Sequence, residues 1–131
     1  MIAVDTSALI AILAQEAEER VFLEAIAEAD GAIVGAPTCF EFLMVAEGRL
    51  GEAAREAATA LLADPLFQLV PWTFDHAQAA QSAFLLFGKG RHPAQLNFGD
   101  CMSYATARIH RLPLLFKGGD FTKTDIRSAL N

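Results

Sequence analysis

Four carboxylates in this chain, Asp5, Glu41, Asp100 and Asp120, occupy positions from which acidic side chains can do chemistry. Asp5 ends the apolar run Ile2-Ala3-Val4. Glu41 falls early in a helix-forming stretch opened by Pro37-Thr38. Asp100 begins a helix after Phe98-Gly99, and Asp120 closes the turn Gly118-Gly119-Asp120. Brought together in a half-buried place, four carboxylates repel one another and need cations to neutralise them. Hard oxygen donors select magnesium or manganese. A pair of such ions, about 3.5 to 4 Å apart, activates water and stabilises charge growing on phosphate in an in-line displacement, which is the chemistry of phosphodiester hydrolysis.

Each acid taken singly also has a plainer reading. Asp5 can cap the helix that follows it, and Asp100 can be an N-terminal helix acid favoured by the helix dipole. Glu41, between Phe40 and Phe42, can sit on a solvated face, and Asp120 is a common turn residue. Only the set of four argues for a site. Around it, Thr6 and Ser7 can cap a helix or orient Asp5, and Asn97 can be a turn residue or a hydrogen-bonding support for the acids. Asp125 has the spacing from Thr122 of a capping box, which favours a structural part and leaves it a reserve candidate for the site.

The elements that must position these groups follow from the pattern of apolar residues. Ile2–Val4, 32–34, 67–70 and 114–116 are short apolar runs that predict buried strands. Helices are predicted over 8–13, 16–29, 37–47, 52–63, 75–87 and 101–110, with Pro37 at a position where its missing N–H does no harm and Asp64-Pro65 ending the fourth. Gly88-Lys89-Gly90-Arg91-His92-Pro93 breaks all periodicity and predicts an exposed basic loop on a flexible backbone. After the polar stretch 117–124 a terminal helical segment is expected. Helices alternating with short strands indicate an α/β sandwich with a mainly parallel sheet. In such folds functional groups collect at the carboxyl ends of the strands, where Asp5, Asp100 and Asp120 fall.

At 131 residues, 53% hydrophobic and 20% charged, the chain is predicted to be one domain over 1–131. No apolar stretch approaches the roughly 20 residues a membrane span requires, so a cytoplasmic protein without a membrane partner is expected. Cys39, Cys101 and the three histidines lack zinc-site spacing, which argues against a soft-metal site. A disulfide between the cysteines is open by spacing alone, with reduced thiols expected in a cytosol. The net charge of −6 argues at first against a nucleic-acid partner, but the charge is unevenly distributed. Residues 1–87 hold 13 acids against three arginines, whereas 88–131 hold seven basic residues and three acids, a net +4. Lys89, Arg91, Lys117 and Lys123 are the leading candidates to meet substrate phosphates. Ten phenylalanines leave apolar surface for self-association, although large aromatics more often fill cores.

Three segments carry a more specific signal: Val4-Asp5-Thr6-Ser7-Ala8-Leu9; the loop 88–93 through Leu96-Asn97-Phe98-Gly99-Asp100-Cys101; and Leu114-Leu115-Phe116-Lys117-Gly118-Gly119-Asp120-Phe121-Thr122-Lys123-Thr124-Asp125-Ile126. In this order and nearly end to end, the chain resembles the VapC toxins of type II toxin–antitoxin systems, which are PIN-domain ribonucleases. The resemblance implies a three-layer α/β/α sandwich and makes Asp5, Glu41, Asp100 and Asp120 the metal-binding acids. It implies Mg2+ or Mn2+ as cofactor, RNA as substrate, a VapB-like antitoxin whose C-terminal segment covers the groove, and a toxin homodimer. The chain departs from relatives that carry two consecutive acids before the last phenylalanine, having Gly119-Asp120 instead, and this bears on how many ions bind. Three other readings compete. A haloacid-dehalogenase-type phosphatase needs an aspartate where Ser7 stands. A receiver-type signalling domain would use Asp5 and Lys117 but leaves Glu41 and Asp100 without a part. A catalytically silent PIN-like binding module would keep the acids without cutting.

Overall fold

A computed structural model describes residues 1–130. Four strands, β1 (Ile2–Val4), β2 (Ala32–Gly35), β3 (Phe67–Val70) and β4 (Leu114–Leu115), form a sheet in the order β3-β2-β1-β4, and every neighbouring pair is parallel. Between them lie α1 (Thr6–Leu13), α2 (Glu19–Glu28), α3 (Ala36–Leu50), α4 (Ala54–Leu62), α5 (Phe74–Phe87) and α6 (Phe98–His110), with a 3-10 turn at Asp120–Lys123.

β1, β2 and β4 are buried on both faces because their side chains alternate between two cores, whereas the edge strand β3 buries Phe67 and Val70 and exposes Gln68 and Leu69. Ile2, Val4, Ala32, Val34, Phe67 and Leu115 pack with Phe22 and Ile26 of α2, Phe42 of α3 and Leu62 of α4. Ala3, Ile33, Val70 and Leu114 point the other way, onto Ala83 of α5 and Tyr104 and Ala107 of α6. The result is three layers, with the sheet central, as the sequence predicts. From β1 the chain steps outward through β2 to β3, then crosses the opposite face through α5 and α6 to place β4 on the far side of β1. That reversal puts a crevice at the carboxyl ends of β1 and β4, the place where open parallel sheets bind ligands.

Three expectations are corrected. The predicted terminal helix does not form. Residues 126–129 instead lie along β4, with Leu114 N donating to Arg127 O at 2.8 Å and Ala129 N donating to Leu114 O at 2.9 Å. The two-residue strand β4 otherwise leaves an open edge, and satisfying its backbone outweighs a helix too short to be stable alone. The loop at 88–93 is more constrained than its composition suggests. Lys89 N donates to Leu96 O, Leu96 N to Phe87 O, and both Arg91 N and His92 N to Gly88 O, so its backbone is tied at both ends. The second helix is also shorter than predicted, starting at Glu19 after a turn in which Gln15 has φ 54°. Both cysteines are free thiols, Cys101 buried and Cys39 partly so.

Candidate active site

Asp5 leaves the end of β1 in extended backbone and caps α1, its carboxylate accepting from Ser7 N at 3.0 Å. Ser7 Oγ donates to the same oxygen at 2.6 Å and itself accepts from Lys117 N at 3.0 Å, tying the loop after β4 to the end of β1. The other Asp5 oxygen accepts from the buried Ser103 hydroxyl of α6. Asp5 is 5% exposed, and three hydrogen bonds fix its direction. It is both the helix cap and the innermost acid, so the plain and functional readings of this residue are compatible.

Glu41 lies one turn into α3 and is half-buried, its carboxylate accepting from the Thr6 hydroxyl. A Cβ placed on Gly99 would fall 1.9 Å from Glu41 Oε2, so the glycine at the start of α6 makes room for this carboxylate. Burial raises the Glu41 pKa above its usual value, the Thr6 hydrogen bond opposes that, and the charge of Asp5 adds to the rise. Asp100 occupies the third position of α6. Its carboxylate accepts from Asn97 N at 3.1 Å while Asn97 Oδ1 accepts from Asp100 N at 2.9 Å, a reciprocal cap that holds both side chains.

Burial pushes the Asp100 pKa up to about 6, against the Asn97 hydrogen bond, and the charges of Asp5, Asp120 and Glu41 push it further the same way. Asp120, exposed at the start of the 3-10 turn, is thereby within electrostatic reach of α6. The fold thus brings all four acids, drawn from 115 positions of chain, to one end of the sheet. Among the described residues none of the four meets a lysine or arginine at ion-pair distance. Nor do any three His, Cys, Asp or Glu side chains draw together tightly enough to share one ion. Asp5, Glu41 and Asp100 rest on neutral donors, the hydroxyls of Ser7, Ser103 and Thr6 and the amide of Asn97.

Ser103 and Gly99 escape a reading by sequence, in which Ser103 is only a small helix residue that permits close packing and Gly99 has no part of its own. The available signal is spacing: Ser103 is three residues after Asp100 and shares its helical face. Of the reserve residues, Thr6, Ser7 and Asn97 each touch one of the four acids. Asp125 does not join them and does not cap a helix. Tyr104 Oη donates to its Oδ1, and Arg108 Nη2 donates to its Oδ2 at 3.2 Å.

The four phosphate-binding candidates part company. Lys117 is held by Glu16 at 3.1 Å and Glu18 at 3.4 Å, which neutralises its charge locally. Lys89, Arg91 and Lys123 meet no carboxylate at ion-pair distance among the described residues, and Arg91 lies over the Phe84 ring, 5.1 Å from its centroid. No helix among the described residues is long and apolar enough to cross a membrane.

Comparison with known proteins bears on the fold and the family. The PIN domain family model matches residues 2–127. Ribonuclease VapC36 of Mycobacterium tuberculosis is 44% identical over 124 residues, covering 94% of this chain and 89% of that protein. Ribonuclease VapC28 of the same organism is 40% identical over 129 residues, covering 98% and 97%. Among solved structures, the M. tuberculosis VapC20 toxin, described as cleaving the sarcin–ricin loop, superposes with a TM-score of 0.77 at 22% identity over 96% of both chains. A toxin–antitoxin complex from Klebsiella pneumoniae gives 0.73 at 21% identity over 95% of this chain and 93% of that one. These two matches speak for the fold, and the sequence relatives for the lineage: the chain belongs to the PIN-domain family, among the VapC ribonucleases.

Proposed function

We propose that this chain is the toxin of a type II toxin–antitoxin pair, a Mg2+-dependent endoribonuclease that also accepts Mn2+ and is held inactive by a VapB-like antitoxin. Asp5, Glu41, Asp100 and Asp120 are its catalytic and metal-binding acids. The observation that carries this reading is that Asp5 is buried and Glu41 and Asp100 half-buried, yet among the described residues none of the four acids meets a lysine or arginine at ion-pair distance. Carboxylate oxygens are the donors a hard divalent cation takes, and Asp120 leaves the site open to solvent.

The chemistry such a cation supplies when bound is positive charge to polarise a water and to offset charge growing on the phosphate. The protein's own part is positional. Asp5, anchored by Ser7 and Ser103, is the fixed reference acid. Glu41 and Asp100 are less buried and can leave Thr6 and Asn97 to face it. Asp120, on an exposed turn, closes the open side. The exposed ring of Phe40, adjacent in sequence to Glu41, offers a face on which an unpaired base can stack. The apolar cleft between α5 and α6, lined by Trp72, Phe84, Phe98 and Met102, favours a homodimer.

The test is cleavage of single-stranded RNA by antitoxin-free protein in Mg2+. Cleavage should be abolished by chelator and by Asp5→Asn, with the circular dichroism spectrum unchanged. A well-folded wild-type protein that binds RNA and never cuts it would instead support the silent module.

A further inference from the structure

At the end of α6 away from Asp100, a cleft of about 410 Å3 is lined by Arg108, Arg111 and Arg127 together with Asp125, Leu112 and Ile126. Its charge balance is positive. Asp125 is the only acid lining it, and both its oxygens are engaged, one by Tyr104 and one by Arg108. Arg111 and Arg127 meet no carboxylate at ion-pair distance among the described residues. The helix C-terminus contributes roughly half a negative charge, too little to offset two unpaired guanidinium groups, and its last carbonyls are already capped by Arg111 N and Leu112 N.

The cleft is also built with care for its backbone. Arg111 ends α6 in the left-handed region, φ 56° and ψ 42°, where glycine or asparagine is the usual residue and an arginine is strained. Arg127 is fixed by its carbonyl, which accepts from Leu114 N at the edge of the sheet. The segment from Asp120 to Arg127 runs alongside α6. It begins within reach of Asp100, is pinned at Asp125 to Tyr104 and Arg108, and ends at the cleft, with Lys123 exposed along the way. A strip of cations therefore leads away from the acids in a chain whose net charge is −6.

We propose that this arginine cleft binds the phosphodiester backbone of the RNA substrate at a distance from the bond that is cut. The proposal rests on the ribonuclease reading for its substrate class. Planar guanidinium groups grip phosphate oxygens through paired hydrogen bonds, and neither arginine has a competing acid. Asp100 and Arg111 are eleven residues apart along α6, about 16 Å at the helical rise, which corresponds to about five nucleotides of a stacked strand. The cleft holds flanking RNA and takes no part in the chemistry.

The experiment compares Asp5→Asn protein, which binds without cutting, with the same protein carrying Arg111→Gly and Arg127→Ala. Fluorescence polarisation would follow labelled single-stranded RNAs of about four and about twelve nucleotides across a salt series. The added changes should weaken the longer RNA on the order of tenfold at low salt and flatten its log–log salt dependence by about 1.4, the loss of two phosphate contacts to a single strand. The difference should be confined to the longer RNA. Arg111→Gly relieves the left-handed arginine, so it should raise the melting temperature while RNA affinity falls, which a folding defect cannot do. Equal affinity and salt slope for the longer RNA, or equal loss on both lengths, overturns the proposal. The two readings fail separately: a wild type that cuts no RNA sinks the ribonuclease, whereas normal cutting with cleft-independent binding sinks only this subsite.

Discussion

Gly99 shows how little separates a working carboxylate from a displaced one. Its hydrogen stands where a methyl group would meet Glu41, and the atom that must yield is the far end of a flexible side chain. Gly99→Ala should therefore leave stability unchanged or slightly higher, since alanine favours the helix by about 1 kcal/mol. RNA cleavage should fall about tenfold or more because Glu41 is turned aside, and paired thermal melts and cleavage rates would check both halves. Asp100 supplies a pH dependence whose sign follows from its raised value. The fold binds this proton more tightly than the unfolded chain does, so its contribution to stability declines as pH rises from the ordinary carboxylate value of 3.8 to about 6. A cation competes with that proton, so Mn2+ affinity measured by calorimetry should weaken as pH falls below about 6, and Asp100→Asn should lower affinity while removing that dependence. An affinity flat from pH 5 to 7.5 would remove Asp100 from the metal site.

The helices were legible in the sequence where one local rule governs them. Asp5-Thr6-Ser7 after an apolar strand and Pro37 near a helix start mark their helices locally, whereas Asn97, read as a turn residue or a support for the acids, is the cap of α6. What could not be read was pairing between distant segments. Lys117 looks like a free cation until α1 and the turn after it bring Glu16 and Glu18 against it, and Ser103 looks like a spacer until β1 arrives beside α6. The terminal residues were misread as helix because the unsatisfied edge they serve belongs to β4, far from any local pattern. At the start of α5, His76 is a further case. Thr73 N donates to its Nδ1 at 3.1 Å, so Nε2 carries the proton and donates to His110 Nε2 at 3.3 Å. Burial lowers the His76 pKa, the charge of His110 lowers it further, and Asp75 opposes both. Its contribution to stability is complete above the unfolded value of about 6.5 and is lost as pH falls through the lower folded value. The melting temperature should drop on acidification through this range, and His76→Gln, which can still cap the helix, should reduce that drop.

Over the whole molecule, the proposed metal site ties cation binding to stability. Adding Mn2+ or Mg2+ should raise the melting temperature, by the equivalent of about 2.7 kcal/mol at a hundredfold excess over the dissociation constant, and chelator should reverse it. An unchanged melting temperature would mean that the acids hold no cation. The exposed Phe84, Leu85 and Leu86 of α5, together with Phe98, form a surface that a monomer in water would not be expected to keep bare. Sedimentation should therefore show a dimer, and Phe84→Glu should shift it toward monomer while the isolated fold survives.

The order of the strands has a consequence for biosynthesis. Asp5 precedes the other three acids, but β1 waits for β4 as its second neighbour, and Asp120 follows all four strands. No nascent chain short of residue 120 contains all four acids. A ribosome translating this message therefore carries an incomplete nuclease until synthesis has passed that residue, which leaves an interval for an inhibitor already present to meet the finished site as it forms.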